Sequence, residues 1–232
     1  MEESFLKYIE DSIKTNWDRP ALTDFKGATS SYKDVARKIE KLHLLFEHCG
    51  IRKGDKIALC SRNTSNWGIA FLATLSYGAV AVPILNEFKP DNIHHIVNHS
   101  EARILFAGDI VWENLDEGAM LDLDGVIRVE DYSLRFSREK KLTEARTKLN
   151  ELFGKKFPER FRPEDVHYDY DKLDDLALIN YTSGTTSSSK GVMLPYRSLW
   201  TNLKFALGVF GLTPGEQIVS MLPMAHMYGL AF

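Results

Sequence analysis

Seven hydroxyl side chains crowd the eight positions from Thr182 to Ser189, Gly184 being the exception, and Lys190-Gly191 follows at once. Such a loop can present backbone N–H groups, hydroxyl donors and one ammonium to a single point. That suits a polyphosphate, which has many oxygens and a high charge. Gly184 and Gly191 are expected to supply backbone angles that a side chain resists. On composition alone, the alternative is a serine-rich surface loop. The Walker pattern does not fit, because it wants glycine just before the lysine and serine or threonine just after, where Ser189 and Gly191 stand. A phosphotransferase of P-loop type is therefore not expected.

Histidine and cysteine offer less. His226 is isolated in an apolar run, which by itself reads as a packed core residue. His95 and His99 are four apart, so a helix would place them on one face, as a metal pair needs. No carboxylate or cysteine accompanies them or His94, so the better reading is a solvated helix end, and no metal site is expected. Cys49 and Cys60 form no CxxC pair and read as buried free thiols in a reducing compartment, with neither a disulfide nor a zinc site.

The elements that must position these residues belong to an ordinary globular chain. It has 232 residues, 44% apolar and 26% charged, a balance that excludes a disordered chain, a collagen-like fibre and a disulfide mini-protein. The net charge of −3 gives no electrostatic reason to expect nucleic acid or an anionic membrane as partner. The N-terminal residues lack a basic region followed by an apolar run, so no signal peptide is read and a cytoplasmic location is expected. Trp67–Leu85 is apolar enough to raise the question of a membrane span. Thr74, Ser76, Tyr77, Gly78 and Pro83 interrupt it, and it reads instead as a buried helix capped by Asn63, a glycine and a short buried strand.

Helix and strand alternate through the first 110 residues. Ser31 and Asp34 form a capping-box pattern, Val35, Ile39, Leu42 and Phe46 share one helical face, and Gly50 closes it. Lys56–Cys60 and Ala102–Ala107 read as strands, with a short helix opening at Pro90 between them. The rhythm predicts an α/β fold with a mostly parallel sheet and covering helices. Between Glu130 and Lys172, 21 of 43 residues are charged, a density no core strand holds, so a solvated excursion with one amphipathic helix through Leu142, Ala145, Leu149 and Leu152 is expected. Alternation resumes with a strand at Leu176–Tyr181, a helix from Ser198 to Val209 and a strand at Gln217–Leu222.

Tyr181-Thr182-Ser183-Gly184-Thr185-Thr186 followed by Lys190-Gly191-Val192 resembles the phosphate-binding signature of the acyl-adenylate-forming superfamily, which includes acyl-CoA synthetases, adenylation domains and luciferases. The usual pattern is Thr-Ser-Gly-Thr-Thr-Gly-x-Pro-Lys-Gly. This chain departs from it with Ser187 for the second glycine and Ser189 for proline, the latter removing a φ constraint. Three more stretches support the resemblance in the family's order. They are Ser30–Val35, Leu75–Pro83 with its Gly-Ala-x-x-Val-Pro-like element, and Leu222–Gly229, similar to Pro-x-x-His-x-x-Gly.

The resemblance implies an ATP-dependent fatty acid–CoA ligase of medium or long acyl chains, with an aryl-acid or acetate ligase, or a non-catalytic nucleotide-binding module, as alternatives. Thr182, Ser183, Gly184, Thr185, Thr186, Ser187, Lys190 and Gly191 then match phosphate-holding positions, and His226, Met227, Tyr228 and Gly229 would line the acyl pocket. Lys190, Thr185 and His226 are the implied catalytic residues. ATP, Mg2+ and coenzyme A are the implied co-substrates and cofactor, with contact to a membrane surface and self-association left open. The resemblance also reads the chain as an incomplete N-terminal domain, residues 1–232, inactive alone and without the family's small C-terminal domain.

Overall fold

The computed structural model describes residues 4–168, 172–182, 189–211, 213 and 215–226. In chain order these form α1 (Phe5–Thr15), β1 (Pro20–Thr23), β2 (Thr29–Ser31), α2 (Tyr32–Cys49), β3 (Lys56–Cys60), α3 (Ser65–Ser76), β4 (Val80–Pro83), α4 (Pro90–His99) and β5 (Ala102–Ala107). The short α5 (Asp109–Trp112), β6 (Gly125–Arg128), β7 (Leu134–Ser137), α6 (Lys140–Thr147), α7 (Leu149–Lys156), β8 (Leu176–Thr182), β9 (Lys190–Pro195) and α8 (Tyr196–Phe210) follow. A seven-stranded sheet runs in the order β7-β6-β5-β3-β4-β8-β9. The pairs β6–β5, β5–β3, β3–β4 and β4–β8 are parallel, and an antiparallel strand closes each edge. This is the expected α/β fold with a mostly parallel sheet.

Strand alternation divides the core between the two faces. In β3, Ile57 and Leu59 join one cluster while Ala58 and Cys60 join the other; in β5, Ile104 and Phe106 part from Leu105 and Ala107 in the same way. Apolar residues at successive positions are what a parallel strand covered on both faces requires. The first cluster packs under α1, α2, α3, α6 and α8, the second under α4 and α5. Burying a side chain the size of Phe106 contributes about 1.5–3 kcal/mol.

The helix ends follow from their residues. Ser31 Oγ accepts the Asp34 N–H and Asp34 Oδ2 accepts the Ser31 N–H at 3.0 Å, so the capping box forms. Gly50 and Gly78 close α2 and α3 at φ of 82° and 81°, where a Cβ would be strained. The Trp67–Leu85 stretch is thus helix, glycine and strand, and no described helix is long and apolar enough to cross a membrane. Both cysteines are free and buried, and burial pushes their thiols up, to about 11 for Cys49 and about 12 for Cys60.

Four local expectations need correction. The cap of α3 is Thr64, whose Oγ1 accepts the Trp67 N–H at 3.0 Å, and Asn63 is used elsewhere. The amphipathic stretch forms two helices broken at Lys148, and both pack on α2, with Leu142, Ala145 and Leu149 buried. The charged segment also supplies a strand, β7, which a charge-rich sequence tolerates because it lies at the sheet edge. Gln217–Leu222 forms no strand. A strand needs a neighbour to complete its ladder, and among the described residues none pairs with this segment, so Ile218, Val219 and Met221 are left exposed.

Candidate active site

The hydroxyl-rich run joins β8 to β9. In the antiparallel register Thr182 faces Lys190, Tyr181 faces Gly191 and Asn180 faces Val192. Directly opposed residues share a face, and so do residues two apart, so Thr182, Lys190 and Asn180 lie on the same side of the sheet as Leu178. Leu178 belongs to the α2–α3 core. Thr182 and Lys190 are exposed at the carboxyl end of β8, the end of a parallel sheet where ligands characteristically bind. Ser183, Gly184, Thr185, Thr186 and Ser187 lie outside the described residues.

The reverse face explains Gly191. Its φ is not positive, so conformational freedom is not what it supplies. A Cβ there would sit 2.9 Å from Ile179 Cγ2 and 3.1 Å from Tyr181 Cζ. The Tyr181 ring occupies the space a side chain would need. Its hydroxyl lies 2.7 Å from His99 Nδ1, and the two rings meet edge to face. Burial pushes the Tyr181 phenol up from its ordinary value, which keeps it protonated and able to hydrogen-bond. Gly191, Tyr181 and His99 therefore hold the register that sets Lys190 opposite Thr182.

The second sequence element arrives at the same end of the sheet. Met224 and Ala225 pack into the α2–α3 core, and the His226 N–H donates to Pro223 O at 2.9 Å in a turn. The Asn180 side chain donates to Ala225 O at 3.1 Å, and Asn63, just past β3, bonds the Leu222 carbonyl at 2.6 Å and the Met224 N–H at 2.8 Å. Since β4 lies between β3 and β8, residues 222–226 run across the carboxyl ends of three adjacent strands. His226 is exposed there, while Met227, Tyr228 and Gly229 lie outside the described residues. Asn63 and Asn180 were not legible as site residues. The available signal was an amide inside an apolar strand, and Asn180 is indeed buried.

The remaining histidines do not assemble a metal centre. His95 and His99 have ring centroids 5.5 Å apart, but His99 is committed to Tyr181, and His94 Nε2 accepts the Asp116 N–H at 3.0 Å. Among the described residues no group of three or more His, Cys, Asp or Glu could hold a metal ion. A cavity of about 420 Å³ opens at the carboxyl ends of β3 to β6 on the α4–α5 side, lined in part by Ser61, Thr64, Glu87, Phe88 and Asp109. On its rim Asp109 pairs with both Arg128 and Arg135, and these guanidinium groups hold its carboxyl well below the usual carboxylate range.

Comparison with known proteins places this geometry in a family context. Residues 9–232 match a protein family described as AMP-binding enzyme. The chain is 31% identical over 232 residues to long chain acyl-CoA synthetase 6, peroxisomal, of Arabidopsis thaliana, covering 96% of this chain and 31% of that protein. Among solved structures it is similar to a long-chain-fatty-acid-CoA ligase from Archaeoglobus fulgidus (TM-score 0.73, 21% identity, 99% of this chain and 44% of that one). It is similar in fold as well to an anthranilate CoA ligase solved with anthranoyl-AMP (TM-score 0.78, 16% identity, 100% and 42%). The chain spans less than half the length of the curated relatives it first matches.

Proposed function

Because the chain belongs to the AMP-binding enzyme family across residues 9–232, we propose that it carries the phosphate-handling part of an ATP-dependent ligase. That ligase converts a fatty acid of medium or long chain to acyl-adenylate and then to acyl-CoA. The observation that carries the reading is the facing pair of Thr182 and Lys190, at the two ends of the hydroxyl run, with residues 222–226 tied to the same carboxyl end of the sheet. The fatty-acid preference is supported by the long-chain acyl-CoA synthetases among its relatives.

In the first step the acid's carboxylate attacks the α-phosphate of ATP and pyrophosphate leaves. A carboxylate is already ionised at pH 7, so no general base is needed. What the step requires is neutralisation of the negative charge on the departing pyrophosphate and the alignment of two anions that repel. Lys190 supplies the positive charge, and Thr182, Ser183, Thr185, Thr186 and Ser187 supply hydroxyl and backbone donors, with Gly184 allowing close approach and Gly191 making room for the Tyr181 ring that holds Lys190 in register. His226, Met227, Tyr228 and Gly229 form the wall beside the carboxylate. In the second step the coenzyme A thiol attacks the acyl carbon and AMP leaves. Mg2+, when bound, offsets phosphate charge; the described residues provide no cluster for it, and none is assigned to hold it.

The test is acid-dependent ATP–pyrophosphate exchange by the full reading frame containing this chain, with acids from acetate to palmitate. Exchange that rises with medium- and long-chain acids is expected, and exchange with aryl acids or acetate alone would reassign the substrate. Ser187 and Ser189 stand where the family has glycine and proline, which favours a second reading, a nucleotide-binding module without catalysis. Tight ATP binding with no acid-dependent exchange would select it.

A further inference from the structure

Two asparagines, one in the turn after β3 and one within β8, converge on one backbone segment. Asn63 follows β3 and would be placed to cap α3, yet Thr64 does that. Its side chain instead donates to Leu222 O at 2.6 Å, lies 3.4 Å from Ser220 O, and accepts the Met224 N–H at 2.8 Å. Asn180 sits within β8, 7% exposed, between residues that pack in the two cores. An amide in such a place is costly unless it is hydrogen-bonded. Its Nδ2 donates to Ala225 O at 3.1 Å. The segment so held makes no ladder with any described strand, so its path follows from these side-chain bonds and from the packing of Met224 and Ala225.

We propose that Asn63 and Asn180 are positioning residues: they form a two-point amide clamp that fixes Met224–His226 over the carboxyl ends of β3 and β8, and so set where the acid's carboxylate is presented. The last clause rests on the ligase reading above. Of the two, Asn63 acts on the acid side alone, whereas Asn180 is itself part of the β8–β9 ladder. Lys190 and Thr182 are set by the β8–β9 ladder and by Tyr181 against Gly191, none of which involves Asn63. Substituting Asn63 should therefore weaken use of the acid and leave use of ATP unchanged, a split that general loosening of the fold would not produce.

Asn63→Ala keeps the Thr64 cap, and Asn63→Asp keeps the acceptor for Met224 while losing the donor. Asn180→Leu removes the second point with a side chain of similar size. Two readouts are used on the full reading frame. Hydrogen–deuterium exchange in the peptide spanning 220–226 should speed up about tenfold or more in Asn63→Ala, with Asn63→Asp between it and the parent. The acid KM should rise roughly three- to thirtyfold while the ATP KM stays within twofold. Unchanged exchange at 220–226 would overturn the clamp. Faster exchange with acid and ATP KM rising together would overturn the positioning role. Absence of acid-dependent activity in the unsubstituted protein would overturn the ligase reading and the acid-presenting role with it, and the deuterium result would then decide the clamp alone. Asn180→Leu guards against an Asn63 variant that fails to fold, because it must reproduce the same peptide-level effect from β8.

Discussion

At the middle of the sheet, β3 is paired on both sides and buried on both faces, and no side chain of β3 from Ile57 to Cys60 exposes any surface. At the far edge, β9 is paired on one side only among the described residues, and Val192 and Met193 are 44% and 65% exposed. Helix α8 continues the contrast: Tyr196 and Leu199 are buried at its start, while Phe205, Val209 and Phe210 are open further along. The difference separates two tasks. The middle supplies the apolar burial that holds the fold, while the edge carries a facing hydroxyl and ammonium on a short ladder. Charged groups that must meet a charged ligand cannot sit in the middle, where desolvation would penalise them. They can sit at the carboxyl end of a strand whose other end is anchored.

The contrast breaks first where it is strongest. Phe106→Ala in β5, next to β3, empties a fully buried site and should cost about 3–5 kcal/mol in chemical denaturation. Met193→Ala, on the exposed face of β9, should stay within about 0.5 kcal/mol. Equal losses from both would erase the distinction between scaffold and edge.

Gly191→Val tests the edge more sharply. The new side chain meets Ile179 and Tyr181 at distances a real Cβ does not tolerate, so the hairpin must shift, costing about 1–3 kcal/mol of stability. Lys190 moves with it, so ATP use in the full reading frame should fall by more than the stability loss explains. A variant with parental stability and parental ATP KM would remove the packing account of Gly191.

Tyr181→Phe is milder. It keeps the ring over Gly191 and loses only the bond to His99, which should cost about 0.5–1.5 kcal/mol in denaturation. His99→Leu should cost a comparable amount, and the double variant should cost less than the sum of the two, because one bond is shared.

The smallest effect lies on the opposite side, at Asp109. Its folded pKa is lowered by Arg128 and Arg135, so its contribution to stability is fully present above the unfolded carboxylate value of about 3.9 and is lost as pH falls below it. Asp109→Asn should flatten the acid limb of a plot of Tm against pH and change nothing near neutrality beyond the loss of the ion pairs. A parental acid limb would mean that these surface pairs contribute nothing measurable.

The central part of the fold was readable because each of its signals is local. The Ser31–Asp34 box, the glycines after α2 and α3, and the apolar runs Ile57–Cys60 in β3 and Ile104–Ala107 in β5 announce themselves within a few residues. The edge was only half readable. The hydroxyl run and Lys190 stand out by type, but the reason for Gly191 lies in the Tyr181 ring across the ladder, and that ring's anchor is His99, 82 positions earlier. Asn63 looked like a helix cap because capping needs only its neighbours, whereas its partners lie about 160 residues away. Gln217–Leu222 looked like a strand because alternation is local, while strand formation needs a ladder partner, and none pairs with it among the described residues. The charged stretch from Glu130 disguised β7 for the opposite reason, since an edge strand needs only one buried neighbour.

The central claim is that Lys190, facing Thr182 at the carboxyl end of β8, handles the phosphates of ATP. Its most direct test is steady-state ATP–pyrophosphate exchange by Lys190→Ala in the full reading frame, at saturating fatty acid, with folding checked by circular dichroism. Removing a charged phosphate contact costs about 1.5–3 kcal/mol, so a drop of roughly ten- to a hundredfold in efficiency toward ATP, with an unchanged acid KM, is predicted. An efficiency toward ATP equal to that of the parent would contradict the assignment.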